Sequence, residues 1–208
     1  MADSKQEEHR LSWSIISAYG APGLGVGYMY LLLGLYIMKF STDVLLIAPI
    51  VMSTIFGISR LWDAVSDPLV GYLSDKTQHS LGRRRIWIAA SVIPIGLVFV
   101  MVFSPPASLT GWPLIIWMGV GVIGFYSAMT VFIVPHMSLG AELTPNYHER
   151  SRLYGLRHAA FTGGSILALI SMQLLIQAEQ ESEAAVRETA FELSVFAAIL
   201  TAGLIVFA

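Results

Sequence analysis

At 208 residues the chain is 55% hydrophobic and only 12% charged, with net charge −2 and mean hydropathy +0.68. Soluble domains carry about 25% charged residues, so this composition indicates an integral membrane protein and argues against a soluble globular enzyme. Neither the charge nor any basic, aromatic patch outside the loops points to nucleic acid. The absence of cysteine excludes disulfides, thiolate catalysis and Cys-based metal sites.

The first residues are mixed in charge. The apolar segment after them is too long for a secretory signal and has no clear cleavage site. A membrane-spanning helix needs about 20 mainly apolar residues. Six segments qualify, at 11–38, 44–73, 86–104, 112–140, 156–178 and 191–208. The expected fold is all-α, a six-transmembrane-helix bundle forming one domain over 1–208. The second segment is on the order of 45 Å long at 1.5 Å per residue, so it must tilt or project. Pro68 predicts a kink in its lower part. The stretch SPPASLTGWP (104–113) separates the third and fourth spans. The acidic segment 178–188 is expected to extend the fifth span or open the sixth as an exposed helix. The sixth span ends at Ala208 with no basic stop residues, which reads as a fragment or one half of a larger transporter.

Basic residues orient the set by the positive-inside rule. Lys5 and Arg10 precede span 1. Lys76, Arg83, Arg84 and Arg85 lie between spans 2 and 3, and Arg150, Arg152 and Arg157 lie around the 4–5 connection. Lys39 and Arg187 fall on the other side. The amino terminus is therefore expected to be cytoplasmic.

The run RLWDAVSDPLVGYLSD (60–75) carries the chemistry. Arg60, Asp63 and Asp67 stand at i, i+3 and i+7, with Gly71 and Ser74 on the same stripe, so all share one helix face. An ionisable side chain at a helix centre costs about 2.5–3.5 kcal/mol on insertion scales. Three at helical spacing predict a polar cavity or partner. Two carboxylates about one turn apart can coordinate a small hard cation such as Na⁺, or share a proton. Arg60 is the expected charge partner. A structural Arg–Asp cluster is the competing reading. Further down, Gly71, Asp75 and then Gly82-Arg83-Arg84-Arg85 suit a cytoplasmic gate in which Asp75 pairs with an arginine in one conformation. For the arginines, a plain positive-inside anchor explains them equally well.

Other residues carry weaker signals. His136 follows Pro135 and is either a proton relay or substrate contact, or a packed histidine. Glu142, Glu149, Arg150 and Arg152 are expected in the 4–5 loop, pairing with the 2–3 loop or simply solvated. Trp13, Trp87, Trp112 and Trp117 suit interfacial belts. Tyr19, Tyr28, Tyr30 and Tyr126 are candidates for a substrate cavity. The glycines at 20, 23, 25 and 27, at 119, 121 and 124, and at 163 and 164 permit close helix packing. They also suit helices that rock during transport.

WDAVSDPLVGYLSD followed by GRRR, and PHMSLGAELTPNYHERSRLYGLR (135–157), resemble the major facilitator superfamily. The specific likeness is to the glycoside–pentoside–hexuronide:cation symporter family, which includes the melibiose carrier. The resemblance covers essentially the whole chain and matches the amino-terminal half of a twelve-span fold. It implies a cation-coupled symporter of a sugar or glycoside-like solute in a bacterial inner membrane. It requires no cofactor beyond the coupling Na⁺ or H⁺, and its partners are the solute, the bilayer and a carboxy-terminal six-helix half. It implies that Asp63 and Asp67 bind the cation, with Thr130 near them. It implies that Gly71, Asp75, Gly82 and Arg83 form the loop 2–3 gate and that Arg157 contacts the sugar.

The chain also departs from the galactoside carrier. Residues 11–38 hold no carboxylate, Ile133-Val134 stand where span 4 has one, and Met137 replaces an aromatic. A less polar glycoside or a lipid-like solute is therefore an open alternative. A non-transporting membrane module or half-transporter needing a partner is the reading from another class. No Ser–His, HExxH or facing-Asp protease pattern suggests an enzyme.

Overall fold

A computed structural model describes residues 10–208; Lys5, used above for orientation, lies outside them. The helices are α1 (Trp13–Gly20), α2 (Pro22–Lys39), α3 (Pro49–Lys76), α4 (Arg85–Phe103), α5 (Trp112–Leu143), α6 (Tyr147–Glu181) and α7 (Glu183–Phe207). α1 and α2 form one rod. Ala21 keeps helical angles, but Pro22 has no N–H to donate to the preceding turn. The rod ends in a π-helical turn, Phe40–Val44. Counted so, the described residues form six long helices. Five are long and apolar enough to cross a membrane. The sixth, α3, has the length at 28 residues, but its charged side chains lower its hydropathy.

Local signals explain where the predicted segments shift. Segment 44–73 becomes Pro49–Lys76, because residues 40–44 close a π turn and Leu46 takes φ 55° before Pro49 restarts the helix. Segment 11–38 runs on through that turn. α3 continues as helix through Pro68. The predicted 4–5 loop shrinks to 144–146, because Asn146 caps α6 by accepting from the His148 and Glu149 amides. Glu149, Arg150 and Arg152 are therefore helix residues and not loop residues, and Glu142 is too, because α5 runs on to Leu143. Ser182 caps α7 and alone separates it from α6. The acidic segment thus both extends one helix and opens the next.

Partners pair in register. α2 and α6 run parallel: Gly27 lies against Phe161, Tyr28 bonds Ser171 and Tyr36 bonds Glu179. α4 and α5 run antiparallel, with Val102 against Gly121 and Val98 against Gly124. Tyr28, Tyr36, Phe40, Phe99, Phe103, Phe125 and Phe132 fill the centre. Gly164 is the tightest crossing: a Cβ there would overlap the Leu24 carbonyl, while one at neighbouring Gly163 meets nothing within 4 Å. Gly164→Ala is expected to destabilise the fold by about 1–3 kcal/mol, as overpacking does. Gly163→Ala should leave stability unchanged. Melting of the purified protein in detergent checks both.

Candidate functional site

α3 and α5 lie side by side and parallel, and their polar groups meet in sequence. Arg60 Nη2 donates to Tyr126 Oη at 2.7 Å. Trp62 Nε1 donates to Ser127 Oγ at 2.8 Å, and Thr130 Oγ1 donates to Asp67 Oδ1 at 2.8 Å. Gly71 faces Val134 one step further. This register lowers the cost of charge on a membrane-length helix: Arg60 and Asp67 each meet a hydroxyl on α5, and Trp62 beside them meets a third.

Arg60 also pairs with Asp63 Oδ2 at 3.1 Å, and its guanidinium lies 4.2 Å from the Tyr126 ring centroid. Asp63 is one-fifth exposed at the side chain. Its other oxygen, Oδ1, is buried with no hydrogen-bond partner among the described residues. Asp67 is exposed, and its Oδ2 has no donor among the described residues. Two carboxylates, one of them with a buried oxygen that has no hydrogen-bond partner among the described residues, and a threonine hydroxyl are donor types suited to a small hard monovalent cation or a proton. Among the described residues no group of three or more His, Cys, Asp or Glu gathers for a more highly charged metal.

The residues expected in a substrate cavity separate. Tyr126 stands on the seam just described, beside Tyr30 at 6.1 Å between ring centroids. Tyr28 does not face open space. It is fully buried, donates to Ser171 Oγ at 2.8 Å and meets Phe196 edge-on. His136 is 2% exposed and stacked on Tyr19 and Phe132, with centroids 4.3 and 4.9 Å away. It ties α5 to α1 reciprocally: Nε2 meets the Tyr19 carbonyl at 3.1 Å, and Tyr19 Oη donates to the His136 carbonyl at 3.2 Å. Arg157 is half-buried on α6, and its charge reaches Tyr19 and His136.

At the basic end, Glu142 on α5 receives both Arg83 and Arg84, the latter at 2.9 Å from Nε. Arg84, 11% exposed, also holds Asp75 at 2.7 Å. The 2–3 connection is thus bound to the ends of α3 and α5. Gly82, at φ 101°, makes the turn that delivers these arginines. The other three candidates turn elsewhere. Arg150 donates to the Ala141 and Thr144 carbonyls and closes the α5 end. Arg152 pairs with Glu149, which accepts from the Leu11 amide, and lies 4.8 Å from the Trp13 ring. Arg85 has no carboxylate partner among the described residues.

Some polar contacts have no sequence pattern. Ser127 opposite Trp62 is one. At the opposite end of the bundle, Glu179 takes both Tyr36 Oη (2.7 Å) and Lys39, which also holds Asp43 (3.0 Å). The i,i+4 spacing of Lys39 and Asp43 could have flagged half of that cluster. Trp87 and Trp117, expected at interfaces, donate to Thr77 Oγ1 and the Met101 carbonyl.

A helical membrane protein with a paired-carboxylate helix and an ion-paired loop has the build of a transporter, not of an enzyme. The family described as MFS/sugar transport protein matches residues 18–208, and the chain belongs to it. An uncharacterised symporter of Synechocystis sp. is 34% identical over 81% of the chain and 32% of that protein. The inner membrane symporter YicJ of Escherichia coli is 32% identical over 68% of the chain and 31% of its own length. The sodium-dependent lysophosphatidylcholine symporter 1 of Xenopus tropicalis is 27% identical over 79% of the chain and 31% of its length. The chain spans about a third of the length of these curated relatives.

The ion-paired end predicts that Glu142→Gln loosens the 2–3 connection. With no native cysteine, Ser74→Cys reports on it: the thiol, buried in the parent, should label several-fold faster with Glu142→Gln present. Equal labelling rates would show that the pairs do not close this end.

Proposed function

We propose that the chain is the amino-terminal six-span half of a cation-coupled symporter, with all six long helices crossing the membrane and the amino terminus in the cytoplasm. Asp63 and Asp67 bind the coupling Na⁺ or H⁺, and Thr130 orients Asp67. The observation that carries this reading is the Asp67–Thr130 bond across the α3–α5 seam beside the unfilled Asp63 oxygen. The solute is a sugar or glycoside-like molecule, which the family description supports. It binds against the open face of this half, opposite a carboxy-terminal six-helix half. Rocking of the halves alternates access around a site near the midplane. The Asp75–Arg84–Glu142–Arg83 pairs hold the cytoplasmic side in one of the two states. That side faces the cytoplasm, which its basic connections support, and the chain sits in a bacterial inner membrane, which the inner membrane relative supports.

A lipid-like solute is the second reading. It is favoured by the absence of a carboxylate in residues 11–38 and by the lysophosphatidylcholine relative.

Coupled uptake by the whole transporter tests the first reading. Asp67→Asn should lower cation-driven accumulation more than ten-fold, and Thr130→Ala several-fold, with Thr130→Ser close to the parent. Accumulation unchanged in Asp63→Asn plus Asp67→Asn would remove the cation assignment.

A further inference from the structure

Two cavities lie on the side of the bundle away from the carboxylates. One, of about 740 Å³, opens between the ends of α1, α4, α5 and α7, with Arg85 and His136 in its lining. The other, of about 690 Å³, runs between α4, α5 and α7 toward Ser104 and Trp117. They share Val92 and Ile93 and so form one continuous groove along α4. Neither takes a lining residue from α3 or α6, so the groove is separate from the Asp63–Asp67 seam.

The groove has the chemistry of a lipid tail and room for its length. α4 has 19 residues, about 28 Å at 1.5 Å per residue, close to the whole hydrocarbon core, so an acyl chain of one leaflet, about half of that core, lies within it. Its walls are apolar and its floor is shallow where Gly96 meets Ala198. Ile93 and Ile199 stand 74% and 68% exposed on its rims. At the other end the chemistry changes. Arg83 and Arg84 are neutralised by Glu142 and Asp75, but Arg85, in the cavity lining, is exposed and has no carboxylate partner among the described residues. A second polar group lines the same cavity. His136 is 2% exposed and its Nδ1 has no hydrogen-bond partner among the described residues. Since Nε2 meets the Tyr19 carbonyl, the neutral ring carries its proton there, which leaves Nδ1 an acceptor. An anionic head group answers Arg85, and a hydroxyl on it answers Nδ1.

We propose that this groove is a binding site for an anionic phospholipid with a hydroxyl-bearing head group, of the phosphatidylglycerol type. The phosphate sits at Arg85 and one acyl chain lies along α4 and α7. Basic pockets between helices at the cytoplasmic interface hold anionic lipids in this way. The proposal rests on the membrane embedding of the chain and not on the cation site.

The test is lipid retention by the purified protein in detergent, read by native mass spectrometry during titration with phosphatidylglycerol or phosphatidylethanolamine. One phosphatidylglycerol should bind per chain in preference to phosphatidylethanolamine. Arg85→Gln should weaken it about five-fold, the effect of one basic group at an anionic surface. Ile93→Trp should displace the lipid by filling the groove without changing charge, and Arg187→Gln, outside the groove, should leave binding intact. Equal retention of the two lipids would overturn the proposal, as would parental affinity in Arg85→Gln. If Arg85→Gln does not fold, Ile93→Trp decides alone: undiminished phosphatidylglycerol binding in that variant contradicts the site. Binding of neither lipid, with the groove covered by another part of the chain, contradicts it equally.

Discussion

The structure depends on how α3 carries Arg60, Asp63 and Asp67 in a helix long enough to span a membrane. Isolated in hydrocarbon, each would cost about 2.5–3.5 kcal/mol on insertion scales. The cost is met by register with α5, where Tyr126, Ser127 and Thr130 present hydroxyls to Arg60, Trp62 and Asp67 in the same order. Parallel packing is what allows it, because both helices then descend together. The arrangement is incomplete in one respect: Asp63 Oδ1 stays unfilled. A stripe satisfied everywhere would be purely structural. A stripe with one buried carboxylate oxygen left open has capacity for a ligand.

The same seam joins the two ends of the account. Below Asp67 the α3 face continues through Gly71 to Asp75, and the α5 face continues to Glu142, so Arg83 and Arg84 bridge both. A change in charge at Asp63 and Asp67 therefore acts on helices whose ends the loop holds. On the proposed function, that is the mechanical route from cation occupancy to the gate, carried by two helices and one set of ion pairs. The α2–α6 pair is built differently, by glycine crossings and the Tyr28–Ser171 bond, and supplies a stiff wall.

Much of this could be read in the residues. The i, i+3, i+7 spacing of Arg60, Asp63 and Asp67 put them on one face, and six apolar runs gave six long helices. Asp75 with the arginines after Gly82 indicated a latch, and the pairs follow that pattern. What escaped were choices that depend on a neighbour. Whether Tyr28 meets a cavity or a helix is decided by Ser171, 143 residues away. Glu149 and Arg152 looked like loop charges because Asn146, whose cap starts α6 early, resembles any loop asparagine. His136 was open between relay and packing: Phe132 is its i,i+4 neighbour on α5, but the stacking on Tyr19 is visible only once α1 and α5 are side by side.

The central claim is that Asp63 and Asp67 form a cation site, and cation-dependent stability measures it without knowledge of the solute. Anything that binds only the folded state raises the melting midpoint with its concentration. The purified protein should melt higher with rising Na⁺ at constant ionic strength if sodium couples, or show a proton-dependent shift if H⁺ does. In Asp63→Asn plus Asp67→Asn that shift should be absent. A double variant that keeps the parental shift would contradict the account.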